Sequence, residues 1–129
     1  MAKAALIVAL LAAATAASSA VAEPRTVVCG PFGYEDNGKH YATRAITFVI
    51  DPAAGTAQYI DDDGHANAAR ITERTDHIIA VGFMANLLRR ETNHTIYIDN
   101  DQQTARLYGA YLDIFFEPGP CRSTARFLW

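Results

Sequence analysis

Serine is nearly missing from this chain outside its first residues: Ser18 and Ser19 lie near the N-terminus, and Ser123 is the only other one. A serine hydrolase would have to use Ser123, which stands in no Gly-x-Ser-x-Gly setting and in nothing resembling a nucleophile elbow. Cysteine is just as scarce, with Cys29 and Cys121 alone. There is no excess of positive charge either. The net charge is −3 and no basic stripe or tail exists, which argues against nucleic acid as the main partner. Metal-binding patterns are also lacking. His40, His65, His77 and His94 form no His-x-His or His-Glu-x-x-His pair. Gly30-Pro31-Phe32-Gly33 is not a phosphate loop, because no Lys-Ser/Thr or helix start follows it.

What is present begins with an export signal. Lys3 supplies a positive n-region, residues 4–17 are apolar and uncharged, and Ala20-Val21-Ala22 gives the small-x-small pattern that a signal peptidase accepts. The apolar core is short against the roughly 20 residues a spanning helix needs. Residues 1–22 are therefore expected to be a cleaved signal peptide. Residues 23–129 are expected to form a single β-rich domain, periplasmic or secreted, with no membrane span. Cys29 lies too far downstream for a lipoprotein signal.

In an oxidising compartment two cysteines pair. A Cys29–Cys121 disulfide would enclose most of the domain, and a bridged pair serves neither as nucleophile nor as metal ligand.

The mature chain consists of short β-prone runs separated by turn residues. Strands are expected at Arg25–Cys29, Tyr41–Ile50, Thr56–Ile60, Ala66–Thr72, His77–Met84, Thr95–Ile98, Thr104–Tyr111, Leu112–Phe116 and Cys121–Trp129. Turns are expected at Asn37-Gly38, Asp51–Gly55, Asp61–His65 and Asp99–Gln103, and a polar, basic loop at Asn86–Asn93. Ile78–Arg90 also carries a loose helical spacing, against which Gly82 and the want of an N-cap count. Ile50-Asp51…Thr56-Ala57 and Ile98-Asp99…Thr104-Ala105 repeat one pattern, read as the same hairpin used twice. The cadence is that of an all-β protein, a small antiparallel meander barrel or sandwich of about eight strands closed by one disulfide.

Candidate sites are few. Asp61-Asp62-Asp63-Gly64-His65 offers three carboxylates and an imidazole, but lacks the alternating spacing of a calcium loop and its closing Glu. It reads as a solvated hairpin tip, as does Asp99-Asn100-Asp101. Arg89-Arg90 is a possible contact patch for an acidic surface. Tyr108, Tyr111, Phe115 and Phe116 cluster late in the chain, where aromatics normally fill a core but also line a shallow ligand mouth. Asn93-His94-Thr95 matches a glycosylation sequon. A final aromatic, Trp129, also ends outer-membrane barrels, but the strands here are too short for that class.

A cysteine after the first strand, Ala69-Arg70-Ile71-Thr72, the two Ile-Asp turns, Tyr108-Gly109 and a late Cys121 before an aromatic strand together resemble a group of small exported proteobacterial proteins. The resemblance implies a β-barrel and export, and assigns no functional residue. In size and cysteine use the chain is also similar to periplasmic lysozyme inhibitors with small barrels, though it lacks their Ser-Gly-rich loop. The expectation is a non-enzymatic exported domain, with no cofactor and no metal, that binds a small ligand or a protein partner. The alternative is an inhibitor of a lysozyme or other hydrolase.

Overall fold

Alternation decides the architecture. Ile46, Phe48 and Ile50 are buried while Thr47 and Val49 are half-buried, and the same period of two runs through Ala57 and Tyr59, Val81 to Asn86, His94 to Ile98, and Ala105 and Leu107. A strand with one buried face must close over a core. In a computed structural model, which describes residues 24–123, it does so as a closed antiparallel barrel. The strands are β1 (Arg25–Cys29), β2 (Gly33–Asp36), β3 (Lys39–Ala42), β4 (Ile46–Asp51), β5 (Thr56–Ile60), β6 (Ala66–Arg74), β7 (Ile78–Leu88), β8 (Arg90–Asp99), β9 (Thr104–Gly109) and β10 (Gly119–Ser123). The barrel runs β1-β10-β9-β8-β7-β6-β5-β4, and β2 and β3 form a separate hairpin. Closure favours the barrel over the sandwich and removes free sheet edges along most of the wall.

The Cys29–Cys121 disulfide forms across directly paired residues of β1 and β10. The interior is filled by side chains. Phe48, Tyr59 and Phe83 meet one another with ring centroids 5.0–6.2 Å apart, among Val27, Ile46, Ile50, Ile79, Val81, Ile96, Ile98 and Leu107. Phe32 plugs one end; its N–H donates to Thr43 Oγ1 at 3.1 Å, and its carbonyl accepts from Thr43 N–H at 2.9 Å.

The two ends differ. The lower end carries the tight turns after β4, β6 and β8. Asp51 Oδ1 accepts from Ala54 N–H, and Asp99 Oδ1 from the N–H groups of Asp101 and Gln102. The repeated Ile-Asp…Thr-Ala pattern is thus one Asp-held hairpin used twice. The upper end carries the β2–β3 hairpin, the Asp61–His65 turn, the Arg89 turn and the long connection from Ala110 to Pro118.

Several expectations are corrected. The helical spacing of Ile78–Arg90 is not used: Ile78–Leu88 is strand, as expected over His77–Met84, with Ile79, Val81, Phe83 and Ala85 filling the barrel and Met84 and Asn86 exposed. Asn86–Asn93 is not a loop. β7 and β8 continue almost to each other, and Arg89, with φ of 65°, supplies the turn. Tyr41–Ile50 splits into β3 and β4, interrupted by buried Thr43. Leu112–Phe116 is an irregular connection instead of a strand. Gly33–Asp36 pairs with Lys39–Ala42 around Asn37-Gly38, both at positive φ, where only a turn was expected. The strand expected to run to Trp129 lies, beyond Ser123, outside the described residues, as does the expected signal peptide at residues 1–22.

Candidate upper-rim docking site

The upper rim is built on His94. Its position on β8 points it inward, where it stacks on Phe83 with centroids 5.4 Å apart and is only 2% exposed. Its Nε2 lies 2.9 Å from Tyr111 Oη. Its Nδ1 is buried; it faces the Thr92 backbone without a partner in hydrogen-bonding geometry. Burial pushes the His94 pKa below its ordinary value, the Thr92 backbone offsets part of this, and nearby Arg44 lowers it further. The ring is therefore neutral near pH 7. Burial also raises the Tyr111 pKa, so its hydroxyl stays protonated.

Gly109 makes this contact possible. It pairs with His94 across β8–β9, and a Cβ there would stand 2.6 Å from Tyr111 Cε2 and 2.8 Å from His94 Cδ2. The tyrosine ring occupies the space that a side chain on β9 would have taken.

Tyr111 anchors one end of the upper connection. Phe116 anchors the other, packing edge-on against Tyr34 at 5.6 Å and against Tyr111 at 6.1 Å. Glu117 N–H donates to the Gly33 carbonyl at 2.8 Å, and its carboxylate meets His40. Between these anchors the chain turns its apolar side chains outward. Leu112 is 97% exposed and Phe115 83%. Arg89, ion-paired with Asp36, and Arg90, which donates to the Ala110 carbonyl, border the same rim.

Across the mouth, Arg44 ties three elements together. Its guanidinium donates to Tyr59 Oη at 2.5 Å, to the Asn86 carbonyl at 3.2 Å and to Asp62 at 2.6 Å. This network covers the filled interior.

The structure brings Asp61, Asp63 and His65 together, with ligand atoms within 4.8 Å of one another. But Asp61 Oδ1 accepts from the N–H groups of Asp63 and His65, and Oδ2 from Asn67. These bonds hold the Asp61 carboxyl below its ordinary pKa and account for the cluster as a turn. Asp101 meets His77 at 2.7 Å on the exposed lower end. Ser123 lies on β10 beside the disulfide strand pair, and Asn93 is exposed on β8. Of the late aromatics expected in the core, Tyr108 and Phe115 are exposed, and Tyr111 and Phe116 half-buried. Tyr111, Phe115 and Phe116 belong to the rim because β9 ends at Gly109, whereas Tyr108 lies on the outer face of β9 against Tyr97. Leu112, Arg44 and Tyr59 were not singled out by sequence. Leu112 sits in an apolar run that alternation alone assigns to a strand, and Arg44 carries no pattern at all.

Comparison with protein-family models, with curated proteins and with solved structures finds no match. What can be stated is the class: a disulfide-closed, eight-stranded antiparallel barrel. The disulfide fits an oxidising compartment. Among the described residues no helix is long and apolar enough to cross a membrane.

Proposed function

We propose that this chain is a non-enzymatic binding module, exported by residues 1–22 to the periplasm or beyond, that docks a protein partner on its upper rim. The observation that carries the reading is the pair Leu112 and Phe115, 97% and 83% exposed on a connection fixed at both ends. Large apolar side chains held out in water by aromatic anchors cost solvation, and such patches mark interaction sites. A protein partner is favoured over a small ligand because Phe48, Tyr59 and Phe83 occupy the interior that a carrier barrel would leave open.

The test replaces Phe115 with a photo-cross-linking phenylalanine in cells exporting the protein, and Ala54 at the lower end as the control. A discrete adduct from position 115 and none from position 54 is expected. Equal labelling at both ends, or none at either, refutes rim docking.

The inhibitor reading draws on the same projecting connection, which has the form of a segment inserted into an enzyme cleft. Lysozyme turbidity assays and a protease panel test it. Inhibition at stoichiometric ratio that Phe115→Asp abolishes supports it, and activity unaffected at excess ends it.

A further inference from the structure

The barrel wall has one incomplete seam. β9 and β10 pair only through Ala105↔Gly119 and Thr104↔Pro120, with Cys121 N–H donating to the Gln103 carbonyl below. Continued upward, the same ladder would set Pro118 against Arg106 and Glu117 against Leu107. Antiparallel pairs alternate, and Cys121 and Gly119 hold the hydrogen-bonding positions here, so the next bond would have to come from Glu117, whose N–H is already bonded to Gly33 on β2. From Arg106 to Gly109, β9 keeps its full ladder with β8 on one side. On the other side no backbone group of the described residues pairs with it.

A cleft of about 300 Å³ opens beside this edge. Leu107 and Tyr108 line it from the strand, and Ile114, Phe115 and Phe116 line it from the upper connection. Tyr108 is 53% exposed and leans edge-on against Tyr97. Arg106, at the lower end of the cleft, is exposed and makes no ion pair among the described residues. The edge thus combines open backbone donors and acceptors, an apolar trough and one unneutralised cation.

We propose that Arg106–Gly109 accepts an added strand: an extended segment of a partner protein, antiparallel to β9, with a carboxylate opposite Arg106 and an apolar side chain opposite Tyr108. This rests on the rim-docking reading and names the partner's chemistry. Backbone groups would supply the pairing, as in other strand-addition complexes. Arg106 and Tyr108 lie two residues apart on one face, so the partner's carboxylate and apolar side chain also lie two apart. The residue between them faces Leu107 and must be apolar and modest in size.

The probe is the acetylated, amidated peptide Thr-Phe-Val-Glu-Val-Thr, titrated into the isotope-labelled oxidised protein and followed by amide resonances and hydrogen exchange. Shifts and slowed exchange confined to Arg106–Gly109 and the cleft are expected. Arg106→Glu should weaken binding about tenfold, as charge reversal at a paired position does, and a peptide with Lys in place of Glu should restore it. If the Arg106–Gly109 amides are unmoved at millimolar peptide, strand addition is wrong. If only Leu112 and Phe115 respond, strand addition is again wrong while rim docking stands. Protection of β9 with no cross-link from position 115 overturns the rim reading instead.

Discussion

The disulfide is the contact whose removal should be felt most widely. Cys29 and Cys121 are 92 residues apart in sequence and directly paired between β1 and β10. Opening a loop of that length returns conformational entropy to the unfolded chain worth about 4–5 kcal/mol on the loop-closure account. Two folded-state effects modify this. Both half-cystines are buried, so Cys29→Ala/Cys121→Ala also leaves a small void. Against that, β1 keeps its ladder with β4 along Arg25–Cys29, so the native wall need not open. The net loss compares with a total stability of about 5–15 kcal/mol for a domain. At ~4–8 °C per kcal/mol for a chain of this size, the melting temperature should fall by roughly 20 °C or more. Urea unfolding and thermal melts of the oxidised protein, the reduced protein and the double variant measure it. Reduced protein and double variant should agree to about 1 kcal/mol, the scale of a lost methylene-sized contact. A double variant melting within about 5 °C of the oxidised protein, a shift worth only ~1 kcal/mol, would refute the loop-closure argument.

Three further changes probe the rim and its support. Gly109→Ala places a Cβ 2.6 Å from the Tyr111 ring, so it should cost about 1–3 kcal/mol and shift the Leu112 and Phe115 resonances, whereas an unchanged melt would show the contact is soft. His94 binds its proton less readily folded than unfolded, where it titrates near 6.5. Its contribution to stability is therefore complete above that pH and is lost as pH falls below it. His94→Phe should flatten the acid limb of a pH–urea profile, and an identical limb in the variant would contradict the burial argument. Phe32→Ala empties a fully buried plug and should cost about 3–5 kcal/mol, read from the urea midpoint.

The barrel was legible in the sequence because its signal is local. Ile46-Thr47-Phe48-Val49-Ile50 announces one buried face with no knowledge of its neighbours, and the Asp51 and Asp99 turns carry their own hydrogen bonds. The misread stretches share one cause: their conformation is fixed from a distance. Asn86–Asn93 looks like a loop by polarity, but its exposed positions are simply the outer face of β7 and β8 near the rim. Leu112–Phe116 looks like a strand by composition, but Phe116 is held by Tyr34 and Tyr111 instead of by a ladder. Nothing in Phe115-Phe116 tells which ring is anchor and which is projected.

The contrast between the two ends is the strongest argument for where function resides. The interior is filled layer by layer, so specificity has to come from the connections. At the lower end these are short and self-sufficient. Asp51, Thr75 and Asp99 each satisfy the backbone of their own turn, and among the described residues no large apolar side chain is held outward there. At the upper end the connections rely on one another. Arg44 reaches Asp62 and Asn86, Arg89 reaches Asp36, Tyr111 reaches His94, and Glu117 reaches Gly33 and His40. A fold that needed only to cap its barrel would close this end as it closes the other. Instead, Tyr34 on β2, His40 on β3, and Arg90 and His94 on β8 hold one connection in a shape that exposes Leu112 and Phe115 and keeps it off the edge of β9. That shape leaves the side of Arg106–Gly109 away from β8 unpaired, so the exposed apolar side chains and the open strand edge have one structural origin.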